Sequence, residues 1–128
     1  DGLIIGWAVY MHIQGREKRI SFLKKLRSQT REHAPILLSF FSRTESSLYF
    51  RVVAEIGNGI RRILGRDYLE VGDDLAHVHG FNIYVHCFTK KEINFELDQG
   101  GFQLDFCCTD VYGHAVGIAS KLSDKISI

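Results

Sequence analysis

Six histidines, three cysteines and a scatter of carboxylates are the side chains of this 128-residue sequence most able to carry chemistry. Their spacing supports one local grouping. His77-Val78-His79 places two imidazoles at i and i+2, which on a strand point the same way, as paired metal ligands do. His86 and the carboxylates Asp73 and Asp74 lie close by in sequence. No further ligand stands at a fixed spacing, so the reading carried forward is one without a metal. No Ser-His-Asp or Cys-His nucleophile arrangement can be argued from the spacings. Cys87, Cys107 and Cys108 make neither a CxxC pair nor an even disulfide framework, as expected of a chain in a reducing cytoplasm. As strand neighbours, Cys107 and Cys108 should face opposite ways, with one thiol buried.

Composition narrows the setting of these residues. With 45% hydrophobic and 24% charged residues, the chain is too apolar to be disordered and large enough for a single domain over residues 1–128. A net charge of +1 argues against a dedicated nucleic-acid binder. Seven Arg and Lys residues do fall between Arg16 and Arg31, and they read as the solvated face of a helix. No apolar run approaches the ~20 residues of a membrane span, so no membrane partner is expected. The chain opens on Asp1-Gly2 directly before an apolar run, as a processed N-terminus or an excised piece would.

The elements that must position any site follow from hydrophobic periodicity. Leu3 to Tyr10 is apolar on both phases and predicts a strand covered on both faces. Ile20, Leu23 and Leu26 then recur at helical spacing up to Gln29 or Thr30, and Ile36 to Phe41 predicts a second strand. Tyr49 to Leu64 repeats as a helix stopped by Gly65, although Gly57-Asn58-Gly59 weakens it locally. Arg66 to Val85 has no clean period and predicts an excursion over the surface. Phe88-Thr89-Lys90-Lys91-Glu92-Ile93 is the sharpest signal: a capping box between Thr89 and Glu92, with Phe88 and Ile93 as a hydrophobic staple. That helix stops at Gly100-Gly101. Phe102, Leu104 and Phe106 then alternate as a strand, and Ala115 to Ala119 returns beside it as a hairpin. The tail after Lys121 should fray. The fold class is α/β, an open, mostly parallel sheet with a C-terminal antiparallel hairpin.

This order resembles the C-terminal half of class I S-adenosylmethionine-dependent methyltransferases, a Rossmann-like fold. The residues that carry the resemblance span nearly the whole chain. They are Asp1-Gly2-Leu3-Ile4-Ile5-Gly6-Trp7, Ile36-Leu37-Leu38-Ser39-Phe40-Phe41, the helix entry His86-Cys87-Phe88-Thr89-Lys90-Lys91-Glu92, the stop Gly100-Gly101-Phe102, and the hairpin Tyr112-Gly113-His114-Ala115-Val116-Gly117. The family's glycine-rich cofactor turn and the acidic residue after its second strand have no counterpart here. Gly57-Asn58-Gly59 follows no strand and cannot stand in for that turn. The resemblance therefore implies that Asp1 begins the fourth strand of seven.

It also implies a transferase that passes a methyl group from S-adenosylmethionine to a small-molecule acceptor, with weak or no cofactor binding by this chain alone. Ligands in doubly wound sheets sit beyond the carboxyl ends of the strands. On that rule Gly6, Trp7, Ala8 and Tyr10 would border the cofactor, Gly6 by leaving the backbone open and the aromatics by their ring faces. The competing reading makes Trp7 and Tyr10 core aromatics. His12, Phe41 and Arg43 would lie toward the acceptor, although a lone loop arginine can be merely solvated. His114 would accept a proton, with Tyr112 orienting it; against this stands a turn histidine with no task. The rival function is a non-enzymatic α/β interaction module that self-associates through the unpaired edge of its first strand. Under the first reading, that edge would instead pair with an N-terminal half.

Overall fold

The computed structural model describes residues 1–110 and 112–121, so the tail beyond Lys121 lies outside the described residues. A four-stranded sheet runs in the order β1 (Leu3–Ile5), β2 (Pro35–Phe41), β6 (Tyr112–Ala119), β5 (Phe102–Thr109). β1 is parallel to β2, while β6 runs antiparallel to both β2 and β5. Three strands thus share one direction and β6 alone is reversed. The α/β class with a closing antiparallel hairpin is the architecture expected from the sequence. Two helices, α1 (Arg16–Ser28) and α3 (Lys90–Gly100), lie against one face. Leu23 of α1 and Ile93 and Leu97 of α3 close over Ile36, Leu38, Phe40, Phe102, Ala115 and Ala119, all buried.

Local rules explain α3 best. The Thr89 hydroxyl accepts from the Glu92 amide, the Glu92 carboxylate accepts from the Thr89 amide, and Phe88 and Ile93 are both fully buried. Gly101 ends the helix at φ 90°, a left-handed conformation that glycine takes without cost. α2 (Leu48–Ile63) runs through Gly57-Asn58-Gly59 unbroken. Asn58 holds Leu69 there, donating to its carbonyl at 3.0 Å and accepting from its amide at 2.5 Å. The glycine that looked like a helix breaker makes room: a Cβ on Gly57 would lie 2.6 Å from Leu69 Cδ1.

Four expectations are corrected. The first strand stops at Ile5, because Trp7 and Ala8 both adopt φ 54° and turn the chain into a 3-10 turn over Val9–His12. The aperiodic excursion contains an antiparallel hairpin, β3 (Asp73–Val78) and β4 (Phe81–His86), closed by His79-Gly80 with both φ angles positive. Alternation does not reveal it because both of its faces are exposed toward the turn, Leu75, Val78, Phe81 and Ile83 included. In β5 the register jumps between Leu104 and Phe106, leaving Asp105 as a bulge. Phe106 therefore points away from α3, and Cys107 takes the inward place opposite Ala115. Finally, Arg19 and Arg27 are not on a solvated face: both are buried on α1, one turn either side of Leu23.

The second face of the sheet is apolar and uncovered among the described residues. One row across it reads Ile4, Leu37, Val116, Phe106, and another pairs Phe41 with Tyr112. Among the same residues β1 is hydrogen-bonded to β2 alone. Packing on the covered face is tight where β6 passes β2: a Cβ on Gly113 would lie 2.2 Å from the Phe40 ring. Gly113→Ala should therefore lower unfolding stability by about 1–3 kcal/mol, the usual cost of overpacking a core, as read from urea denaturation.

Candidate active site

Gly6 follows β1 at the carboxyl end of the sheet, and a Cβ there would meet nothing within 4 Å. Trp7 is 97% exposed beside it. The Ala8 amide donates to Ser39 Oγ at 3.0 Å, fixing this turn to β2. Ser39 registers with His114, and His114 with Cys108, so all three share the open face. Phe41 and Tyr112 follow one row further out, with rings edge-on at 5.5 Å. Beyond the ends of β2 and β5 lies an open cleft of about 630 Å³, lined by Ser42, Arg43, Thr44, Lys90, Thr109 and Asp110 among others. The structure thus places Gly6, Trp7 and Ala8 beyond the carboxyl end of β1, and Phe41, Tyr112 and His114 on the open face of β2 and β6.

The remaining three candidates are engaged elsewhere. Tyr10 is fully buried, stacked on Phe88 at 5.5 Å, and its hydroxyl donates to Glu96 Oε2 at 2.6 Å. It is a core aromatic and presents no face to a ligand. His12 donates from Nδ1 to the Tyr84 carbonyl at 2.8 Å, tying the 3-10 turn to β4. Arg43 donates to the carbonyls of Cys87 and Val71 at 2.9 and 3.0 Å and to Glu92 Oε1 at 2.8 Å. Its Nε and Nη2 hold the excursion against the start of α3, while the residue still borders the cleft.

Sequence reasoning missed the ionic centre behind the site. Arg19 is fully buried and grips Glu96 twice, Nη2 to Oε1 at 2.8 Å and Nε to Oε2 at 3.0 Å. Its other donors reach the Ile13 carbonyl at 3.2 Å and Glu70 Oε2 at 3.0 Å, and it lies 5.2 Å above the Phe88 ring. Burial and the neighbouring Glu96 carboxylate push the Tyr10 hydroxyl well above its ordinary value, so it stays a donor. The available signal was positional: Arg19, Leu23 and Arg27 recur every four residues and therefore share one helix face.

A second buried group adjoins it. His86 Nδ1 donates to Asp73 Oδ1 at 2.7 Å, and Asp73 also accepts from the Tyr84 hydroxyl and the Glu70 amide. Burial opposes the charge on His86, but its hydrogen bond to Asp73 and the Glu92 carboxylate 3.8 Å from Nε2 outweigh that and raise its pKa above 6.5. Burial likewise opposes ionisation of Asp73 and Glu92, yet the His86 ring, bonded to Asp73 and near Glu92, and bonds from backbone amides hold both below their ordinary 3.8 and 4.5. Glu70, Asp73 and His86 bring one donor atom each within 4.8 Å of one another. The Arg19 guanidinium, 3.0 Å from Glu70, occupies the position from which it would repel a cation. Of the histidines paired in sequence, His77 bonds Asn82 and His79 lies in the hairpin turn, so the i, i+2 pair is not formed on the strand.

No protein-family model matches the chain, and no curated protein matches it in sequence. Solved structures do match. A S-adenosylmethionine-dependent methyltransferase from Methanosarcina mazei superposes with TM-score 0.64 at 18% identity, covering 88% of this chain and 56% of that one. This chain shares that protein's fold. The 1,6-didemethyltoxoflavin-N1-methyltransferase of Burkholderia thailandensis, solved with 1,6-didemethyltoxoflavin and S-adenosylhomocysteine, matches at TM-score 0.60 and 12% identity over 94% of this chain and 44% of that one. A S-adenosylmethionine-dependent methyltransferase from Clostridium acetobutylicum gives 0.55 and 10% over 92% and 58%. The chain spans about half the length of these methyltransferases. The resemblance to a partial class I domain, read first from sequence, is thus a structural one.

Two outcomes follow from the ionic centre. Glu96→Gln should destabilise the fold by about 2–4 kcal/mol in urea, since it removes the carboxylate that grips Arg19 twice and leaves Glu70 as its nearest counter-charge. The His86 contribution is fully present below pH 6.5 and is lost as pH rises through its raised native pKa. Those of Asp73 and Glu92 are present above 3.8 and 4.5 and are lost as pH falls through their lowered values. Thermal stability should therefore peak between about pH 4.5 and 6.5, and His86→Gln should flatten the decline on the alkaline side.

Proposed function

We propose that the chain is the C-terminal part of a S-adenosylmethionine-dependent methyltransferase that acts on a small-molecule acceptor in the cytoplasm. The observation that carries this reading is the strand order β1-β2-β6-β5 with β6 alone reversed, in a fold matched by three solved methyltransferases. The free thiols of Cys87, Cys107 and Cys108 accord with a reducing compartment. In one of the matched structures the acceptor is itself a small molecule.

The residues at the β1 exit fit one side of the cofactor. Gly6 leaves the backbone open to approach and Trp7 offers an unencumbered indole face. Tyr10 is withdrawn from this role, and the Ala8 amide is already bonded to Ser39. The rest of the pocket is therefore assigned to an N-terminal half that adds a strand to the β1 edge and covers the row Ile4, Leu37, Val116, Phe106. When bound, S-adenosylmethionine supplies a methyl group activated by its sulfonium charge. His114, exposed on the open face, takes the proton of the acceptor, and histidine is the side chain suited to that near neutral pH. Tyr112 and Phe41 form an aromatic wall beside it, and Ser42, Lys90 and Asp110 line the cleft with polar groups for the acceptor.

The free β1 edge also favours a second reading, a non-enzymatic module in which another copy takes the place of the N-terminal half. Cofactor titration separates the two. Calorimetry with S-adenosylmethionine on residues 1–128 should give weak or undetectable binding, and tight binding would overturn the half-site assignment. Joined to the N-terminal half, the chain should bind and turn over. Trp7→Ala should then weaken cofactor binding roughly 3- to 30-fold, the ~0.5–2 kcal/mol of a cation–π contact. His114→Ala should lower kcat about 10²- to 10⁴-fold with cofactor affinity intact. Unchanged kcat would remove His114 from the mechanism.

A further inference from the structure

α2 is amphipathic in the reverse sense to a helix covering a core. The side it turns to the protein is narrow: Ala54 is buried, and Gly57 and Asn58 meet Leu69. Its broad apolar side faces solvent, with Tyr49 60%, Val52 42%, Ile56 62%, Ile60 56% and Ile63 86% exposed. At 100° per residue these five side chains fall within an arc about 80° wide centred near Ile56. Contiguous exposure of this kind marks an interaction surface.

The spacing and the bordering charges point to what covers it. Val52, Ile56, Gly59 and Ile63 follow intervals of four, three and four, the seam of a two-helix coil. Gly59 sits in the middle of that seam, and a Cβ there would meet nothing within 4 Å. Glycine at that point lets a second helix come close. Glu55 and Arg62 lie together on one border of the arc, one heptad apart. If a second α2 packs antiparallel about a two-fold axis between Asn58 and Gly59, Glu55 of each copy stands opposite Arg62 of the other. Both ion pairs form at once, and Gly59 of each copy stands opposite Asn58 of the other beside the axis, where the missing Cβ lets the helices approach. Arg51, Arg61 and Arg62 would also suit an anionic membrane surface, but only a second copy uses the Glu55–Arg62 match and the gap at Gly59.

We propose that α2 is a self-recognition helix through which two copies of this chain form a two-fold dimer by antiparallel α2–α2 packing. The proposal does not depend on the methyltransferase reading, because α2 lies outside the β1 edge and the open sheet face.

Sedimentation equilibrium on the wild-type chain should show a dimer, and Ile56→Asp should give a monomer with an unchanged circular dichroism spectrum, Ile56 being exposed. Glu55→Arg and Arg62→Glu should each weaken the dimer about tenfold, since each sets like charges against each other twice. An equimolar mixture of those two variants should associate as tightly as wild type, because every facing pair is then opposite in sign. Four results would overturn the proposal. They are a monomeric wild type, a dimer that survives Ile56→Asp, a mixture no tighter than its components, and a monomer that cosediments with phosphatidylserine vesicles. The second of these would move the contact to the β1 edge or the open sheet face.

Discussion

Arg19 reaches into a region that four separate stretches of chain must share, and a guanidinium there has to be matched on every side or expelled. α1 supplies it, α3 supplies Glu96, the 3-10 turn supplies the Tyr10 hydroxyl and the Ile13 carbonyl, and the segment before β3 supplies Glu70. A buried ion pair adds little net stability over a well-packed apolar pair, yet removing one partner is costly. Its effect is on arrangement. Each of those stretches must arrive in one register for the charge to be satisfied. The turn that presents Gly6 and Trp7 is fixed in this way from below by Tyr10 and from the side by Ser39.

The His86 group does for the excursion what Arg19 does for the helices. Asp73 begins β3, His86 ends β4, and Glu92 opens α3 while also accepting from Arg43. One carboxylate thus serves a helix cap, an arginine and a nearby imidazole. The parallel bridge between Ser42 and Phe88 joins the end of β2 to the same point. The cleft beyond β2 and β5 is consequently bordered by backbone that is hydrogen-bonded on its inner side, even where it runs outside the main sheet.

Much of the fold was legible because its signals are local. The capping box at Thr89 and Glu92, the stop at Gly101 and the apolar run of β2 each act within a few residues. The parts that were not legible depend on partners distant in sequence. Arg19 reads as a surface residue until Glu96, 77 positions away, is brought beside it. The β3–β4 hairpin turns on His79-Gly80, a weaker cue than Asn-Gly or Asp-Gly. Gly6 and Trp7 lie just past a strand end, which sequence conveys, whereas His114, read as a turn residue, is the third residue of β6. Tyr10 was misplaced because its polar partner, Glu96, is not adjacent in the chain, and the Cys87 and Val71 carbonyls that engage Arg43 are equally out of local reach.

The bulge at Asp105 has a bearing on handling as well as on geometry. With regular alternation, Phe106 would turn toward α3 and Cys107 would come to the surface. The extra residue exchanges them, so the largest ring of β5 joins the uncovered row at 56% exposure while a thiol goes inside. One residue thereby makes the second face greasier and exchanges which of two neighbouring thiols lies on it, Cys108 taking the outer place opposite His114. The chain on its own is left with a surface inclined to coalesce, and its solubility becomes a measure of how completely that face is covered.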